Sequence, residues 1–217
     1  MTKLPPPNMP SPTAAPSKAP NLHGGEKATC GVALLLIDVI NDLDFPEGEQ
    51  LLQWALPMAR RIAELRRRAA QCGVPLIYAN DNFGRWRSDF RAQIQHCLEG
   101  GVIGRPIAEL LVPGPHDYFV LKPRHSAFYC TTLELLLKHL GVRTLILAGL
   151  AGNQCVLFTA SDAYLREFRL IVPRDCVASN TEAENEQSLR HMEQVLKADI
   201  RPEGDLTDER LNRLAKG

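Results

Sequence analysis

Three side chains that together can cleave an amide each follow a short apolar segment of the sequence. Asp38 and Lys122 come directly after such segments, and Cys155 follows a glycine-containing turn after another one. A thiol can attack a carbonyl carbon, a carboxylate can take the thiol proton and return it to a leaving amine, and an ammonium group can stabilise the negative charges. This set of residue types predicts nucleophilic hydrolysis of an amide-type bond.

The position of Cys155 predicts an activated thiol. A helix is expected to begin at this residue, and the positive end of the helix dipole and its unpaired N–H groups favour thiolate. A neighbouring Lys122 ammonium favours it too. The turn over residues 149–154 leaves backbone N–H groups that can point at a developing oxyanion.

Each of these residues also has an ordinary explanation when it is taken alone. An aspartate after a strand is often a turn or cap residue, a single lysine there is usually solvated, and a cysteine near a helix start usually packs in the core. The hydrolytic interpretation therefore requires a fold that brings Asp38, Lys122 and Cys155 together.

The rest of the sequence predicts such a fold. Apolar runs typical of buried strands alternate with segments of helical periodicity. This alternation predicts an α/β fold with three layers, α/β/α, in which a Rossmann-like, six-stranded, mainly parallel sheet carries helices on both faces. Ligands bind at the carboxyl ends of the strands in such sheets. The predicted strands are 32–37, 74–79, 118–121, 144–148, 168–172 and a short sixth one near Ile200.

Helices are predicted over residues 50–71, 87–98, 131–140, 155–166 and 181–196. Pro57 indicates that the first helix begins or bends there. Capping-box spacing occurs at Thr131 with Glu134 and at Thr181 with Glu184.

Composition favours a single ordered domain over residues 29–217, preceded by a disordered, Pro-rich tail over 1–28 that is either a passive extension or a docking segment. Lys plus Arg and Asp plus Glu both total 25, which favours a small-molecule substrate and argues against nucleic acid. The absence of an apolar run of about 18 residues predicts no membrane span. The six dispersed cysteines, without a CxxC pair, indicate a reducing, cytoplasmic location.

Three strings in the sequence resemble those of the isochorismatase-like cysteine hydrolases. They are LLLIDVINDL, LKPRHSAF and GLAGNQCVLFTASDA, and the resemblance extends over about residues 31–200. This family includes nicotinamidases, N-carbamoylsarcosine amidohydrolases, ureidoacrylate and biuret hydrolases, and isochorismatase itself.

The resemblance implies a role for each residue of the site. Asp38 would be the general base, Cys155 the nucleophile that forms a thioester acyl-enzyme, and Lys122 their electrostatic partner. The backbone N–H groups of Ala151 and Cys155 would form the oxyanion hole. A cis peptide would fall at Ala151–Gly152, although most relatives have threonine where Gly152 stands. The resemblance also implies a homo-oligomer, either a dimer or a tetramer.

Some relatives hold a metal through an Asp-x-His pair after the second strand, and here the sequence has Asp81 and Phe83. A phenyl ring cannot replace imidazole as a ligand, and His96 is the nearest later histidine, so we predict no metal and no cofactor. Arg85 could hold a substrate carboxylate and Trp86 could stack on a flat amide; alternatively, Arg85 faces water and Trp86 packs under the loop. The candidate substrate-binding residues are Leu43, Asn82, Phe83, Arg85, Trp86, His125 and Phe158.

Two other functions remain open at this point. The first is hydrolysis of a vinyl ether of the isochorismatase type, which does not need the cysteine. The second is a non-catalytic binding module on the same fold.

Overall fold

A five-stranded parallel sheet forms the centre of the chain, with the strand order β3-β2-β1-β4-β5. The computed structural model describes residues 29–84 and 89–217. The predicted tail over 1–28, Arg85 and Trp86 lie outside these ranges. The strands are Val32–Ile37 (β1), Leu76–Asp81 (β2), Tyr118–Lys122 (β3), Thr144–Gly149 (β4) and Arg169–Ile171 (β5).

The prediction of a sixth strand near Ile200 is wrong. The described chain forms only an isolated parallel bridge there, between Ile171 and Asp199. Pro173 and Pro202 flank this bridge in the sequence. Because proline has no N–H to donate, it does not extend a hydrogen-bonded ladder.

Helices cover both faces of the sheet, as the strand-helix alternation predicts. The α-helices are Gly48–Gln71 (α1), Phe90–Glu99 (α2), Arg105–Leu110 (α3), Leu133–Leu140 (α4), Leu157–Leu165 (α5), Glu182–Gln194 (α6) and Asp208–Lys216 (α7). Buried residues of α1, α2, α3 and α7 form one apolar core, and those of α4, α5 and α6 form the other. No helix in the described ranges is long and apolar enough to cross a bilayer.

Strand β1 lies between these two cores. Val32, Leu34 and Leu36 pack into the core that contains α1, and the alternate residues pack into the other core. All six residues of β1 have no exposed surface. A strand that is covered on both faces needs apolar side chains at every position, which accounts for the continuous run in the sequence.

Helix α1 passes through Pro57 without ending. Proline leaves the carbonyl of the residue four positions earlier without its helical donor. That residue is Gln53, which is exposed like Pro57, so water can bind the free carbonyl. Since α1 begins at Gly48, the predicted start at Pro57 is wrong, and the bend there stays a prediction.

Only one of the two threonines with capping-box spacing caps its helix through its side chain. Thr181 accepts a hydrogen bond from the N–H of Glu184 at 3.2 Å and begins α6. Thr131 instead donates its hydroxyl proton to the carbonyl of Ala127 at 2.6 Å and accepts from the N–H of Leu133 at 3.2 Å, and α4 begins at Leu133. The short helix α3 and the C-terminal helix α7 were not predicted from the sequence.

Gly149 ends β4 in a conformation that excludes a side chain. Its φ is +126°, and a Cβ atom there would lie 2.1 Å from the carbonyl oxygen of Ile37. We expect Gly149→Ala to lower the free energy of unfolding by about 3–5 kcal/mol, because backbone strain and overpacking add. Gly73→Ala is the matched control: its φ is +69° and no atom lies within 4 Å, so it should cost only about 1–2 kcal/mol. Urea denaturation measures both changes, and equal losses would contradict this account of Gly149.

Candidate active site

The structure brings Asp38, Lys122 and Cys155 together at the carboxyl ends of the strands. The Lys122 Nζ lies 2.8 Å from Asp38 Oδ2 and 3.4 Å from Cys155 Sγ. Burial raises the pKa of the Cys155 thiol, and the negative charge of Asp38 also acts on the thiol and raises this pKa further. The Lys122 ammonium therefore contacts both the carboxylate and the sulfur, an arrangement suited to nucleophilic hydrolysis.

The order of the strands explains why a lysine completes this cluster. Strand β2 separates β1 from β3, so a side chain from β3 must cross the end of β2 to reach Asp38. The four-carbon stem of Lys122 spans this distance, and the residue has no exposed surface. The end of β2 also holds Asp38, since the N–H of Asp81 donates to Asp38 Oδ1 at 2.7 Å.

The backbone at Asp38 lies in the left-handed region, with φ of 51°. For a residue other than glycine this conformation costs about 1–2 kcal/mol. Such strain persists where surrounding contacts determine the geometry. Here the hydrogen bond from Asp81 and the ion pair with Lys122 hold the carboxylate in place.

Burial and charge together determine the ionisation of the cluster. Burial raises the pKa of Asp38 more than the Lys122 ammonium lowers it. Burial opposes the charge of Lys122, but the carboxylates of Asp38 and Asp81 outweigh it and raise the lysine pKa. A protonated lysine therefore faces a carboxylate of increased basicity, which is suited to accept a proton.

The prediction of a Cys155 thiolate is wrong for the free protein. Burial, followed by the negative charge of Asp38, raises the pKa of Cys155 to about 12, although Lys122 opposes this shift. Cys155 also lies within a π-helical turn, Gly152–Val156, and α5 begins only after this turn. The resting nucleophile is a neutral thiol, so its proton must leave as it attacks.

The backbone N–H groups of Ala151 and Cys155 make no hydrogen bond to other segments of the described chain. The carbonyl of Ala151 accepts from the N–H groups of Gln154 and Val156 at 3.0 and 3.1 Å. The N–H of Ala151 has no acceptor in the described chain, and that of Cys155 has none outside the π-helical turn. These are the two donors that the resemblance implies.

The expected cis peptide at Ala151–Gly152 is absent, since every peptide bond in the described ranges is trans. Gly152 donates its N–H to the carbonyl of Ala178 at 2.8 Å. A Cβ atom on Gly152 would lie 2.5 Å from Asn185 Oδ1 and 2.9 Å from Ser179 Oγ. This packing leaves no room for the threonine expected at this position.

Two of the candidate substrate-binding residues lie at the sulfur. His125 Nδ1 is 3.6 Å from Cys155 Sγ, and the His125 ring stacks on Phe158 with 5.4 Å between ring centres. Both residues are exposed, so they can contact a substrate that reaches the thiol.

The other candidates differ in their positions. Leu43 is completely buried in the apolar core, so its side chain cannot meet a substrate, contrary to the prediction. Asn82 is buried and accepts from the N–H of Gly84 at 2.9 Å, whereas Phe83 is 47% exposed. Arg85 and Trp86 fall outside the described residues.

Sequence reasoning missed the contacts that hold the site motifs against one another. Asp81, considered only as a metal ligand, has its Oδ2 3.5 Å from Lys122 Nζ. Thr159 of the third motif accepts from the N–H of Ala127 in the second motif at 3.0 Å. The available signal for Asp81 was its place at the end of β2, where it pairs in register with Lys122.

The residues at the expected metal position do not fit a metal ion. Asp81 is engaged with Lys122, and Phe83 offers no ligand atom. His96 lies 3.0 Å from a single carboxylate oxygen of Asp42. Residues 29–84 and 89–217 contain no group of three or more His, Cys, Asp or Glu side chains that could hold a metal.

Comparisons with known proteins identify the family to which the chain is similar. The family model of the Isochorismatase domain matches residues 32–200. The uncharacterized isochorismatase family protein YaaI of Bacillus subtilis strain 168 is 42% identical over 177 residues, which cover 82% of this chain and 97% of YaaI. The maleamate amidohydrolase of Pseudomonas putida is 29% identical over 172 residues, 72% of this chain and 76% of that enzyme.

A solved structure shows the same fold. The N-carbamoylsarcosine amidase from Thermoplasma acidophilum superposes with a TM-score of 0.60 at 26% identity, covering 79% of this chain and 96% of that one. The domain match and the similarity to YaaI both extend over most of the chain. The chain therefore belongs to the isochorismatase family of hydrolases.

Proposed function

We propose that the chain is a cysteine-dependent hydrolase that cleaves the C–N bond of a small amide, ureido or carbamoyl compound through a thioester acyl-enzyme. The observation that carries the proposal is the position of the Lys122 ammonium, 2.8 Å from Asp38 and 3.4 Å from the Cys155 sulfur. During such a reaction the negative charge of Asp38 is lost when the carboxylate takes a proton, and the Cys155 sulfur carries negative charge when it leaves as thiolate. The buried Lys122 ammonium contacts both groups and stabilises the negative charge on either one.

Acylation begins with a neutral thiol. As the Cys155 sulfur forms a bond to the substrate carbonyl carbon, its proton passes to the carboxylate of Asp38. The negative charge then moves to the substrate oxygen, where the N–H groups of Ala151 and Cys155 can donate to it. Asp38 returns the proton to the leaving nitrogen, the C–N bond breaks, and a thioester remains.

In deacylation, Asp38 activates water as the nucleophile and the Cys155 sulfur is the leaving group. Asp38, again a carboxylate, removes a proton from a water molecule that attacks the thioester carbon. The C–S bond then breaks, and the proton held by Asp38 returns to the sulfur. The products are the acid and the free thiol, so each residue regains its starting state.

The named relatives support a C–N bond as the target. One is a maleamate amidohydrolase and another an N-carbamoylsarcosine amidase. The contact of both Asp38 and Cys155 with the Lys122 ammonium also favours amide chemistry over a binding role, because attack by a neutral thiol requires a nearby proton acceptor.

Cys155→Ala should abolish turnover, with a fall in kcat of at least about 10⁴-fold, because the nucleophile and its partners act as a unit. Release of ammonia or amine from a panel of amide, ureido and carbamoyl compounds measures this. Cys130→Ala is the matched control, since Cys130 is also a free cysteine but is exposed, and it should keep full activity.

Intact-mass measurement after rapid quenching should detect the acyl adduct in the native protein and not in Cys155→Ala. Retained turnover in Cys155→Ala would exclude the covalent mechanism. Pyruvate release from isochorismate by that variant would instead favour vinyl ether hydrolysis.

Asp38→Asn should make Cys155 more acidic while it abolishes hydrolysis. The change removes the negative charge that raises the Cys155 pKa and leaves the Lys122 ammonium that lowers it. Each fall of one in pKa gives about tenfold more thiolate, so iodoacetamide at pH 8 should alkylate Cys155 at least about tenfold faster.

Peptide mass mapping separates Cys155 from the other cysteines in this experiment. Asp81→Asn is the control, because Asp81 contacts Lys122 but not the sulfur, and it should change the alkylation rate less. Unchanged or slower alkylation in Asp38→Asn would show that Asp38 does not hold the thiol proton.

A further inference from the structure

A cavity of about 400 Å³ is lined by residues that follow β1 and β2 and by residues of α2. Asp81 connects it to the Asp38–Lys122–Cys155 cluster. Gln93, in the cavity wall, donates from Nε2 to the Asp81 carbonyl at 2.7 Å, and Asp81 Oδ2 lies 3.5 Å from Lys122 Nζ. The mechanism above makes no use of this cavity.

The polar groups of the wall are mainly hydrogen-bond acceptors with negative charge. Asp44 is exposed and has no ion-pair partner in the described ranges. Asp42 accepts from the N–H of Asp44 at 3.2 Å and lies 3.0 Å from His96. Gln93 is 8% exposed, and its Oε1 is buried without any donor among the described residues. Burial, followed by the charge of Asp42, raises the pKa of the neighbouring Cys97 to about 11, so the negative potential reaches into the wall.

Two aromatic rings complete the wall. Phe45 is 38% and Phe83 is 47% exposed. The backbone of Phe83 has φ of 51°, a costly conformation for a bulky residue. The N–H of Phe83 donates to Asp81 Oδ1 at 2.7 Å, which holds the ring in this position.

We propose that this cavity binds an organic ammonium group. Carboxylates attract its charge, the Gln93 oxygen buried in the wall without a donor from the described chain adds to the negative potential, and aromatic faces attract cations through their quadrupole. Resting on the proposed function, the ammonium group is the remote end of the substrate whose carbonyl reaches Cys155. A carboxylate end is repelled by the same wall.

Three amides that differ only at the remote end test this inference. One carries a trimethylammonium group, the second its neutral tert-butyl isostere and the third a carboxylate, each with spacers of several lengths. We expect the KM of the best ammonium amide to be about tenfold below that of the isostere of the same length, an advantage that falls as salt is raised.

Variants locate the effect in the cavity. Asp44→Asn should remove most of the ammonium preference while the KM of the tert-butyl amide stays unchanged, which also shows that the protein is folded. Phe83→Leu should weaken the preference about threefold. Glu64→Gln, which removes a carboxylate on an exposed side of α1, should change nothing.

Binding of tetramethylammonium, followed by NMR saturation transfer on Cys155→Ala, separates this inference from the proposed function. Saturable binding that Asp44→Asn weakens supports the cavity even if no amide is hydrolysed, in which case the proposed function fails alone. Hydrolysis without an ammonium preference, together with no tetramethylammonium binding, overturns the cavity and leaves the proposed function intact. Preference for the carboxylate amide also overturns the inference.

Discussion

The ion pair between Asp38 and Lys122 is the interaction on which the site depends. Both residues are buried, and their charges lie 2.8 Å apart. Removing two charges from water costs several kcal/mol per ion, and the cost is offset only when geometry is good and remaining polar atoms are satisfied. The N–H of Asp81 satisfies the second Asp38 oxygen. A third group, the Cys155 thiol, is then surrounded by opposite charges and stays neutral.

The sheet determines which residues can form this pair. Since β2 lies between β1 and β3, only a long side chain from β3 can reach the carboxylate that follows β1. The last residue of β2, Asp81, consequently contacts both the ion pair and the neighbouring cavity wall. Asp81 contacts the ion pair through its N–H and its carboxylate, and its carbonyl accepts from Gln93 in the neighbouring cavity. One aspartate thus connects the chemical centre to the negatively charged wall of that cavity.

The neutral thiol changes how the site is understood. A preformed thiolate needs a positive environment, whereas a neutral thiol needs a proton acceptor in contact with it. Burial raises the pKa of both Asp38 and Cys155. The thiol proton therefore moves to Asp38 only as the sulfur bonds to the carbonyl carbon, because this bond removes the negative charge from the sulfur. With a Cys155 pKa of about 12, little thiolate exists before a carbonyl binds.

The sequence by itself determined the parallel α/β architecture, the five observed strands and the identity of the three clustered residues, because strand burial and motif order are written in local patterns. Tertiary structure alone decided the protonation of Cys155, the burial of Leu43 and the trans peptide at Gly152. It also decided that the chain near Ile200 forms a bridge in place of a sixth strand. Each of these outcomes depends on what distant segments place around a residue, and desolvation, steric contact and long-range charge have no signature in the local sequence.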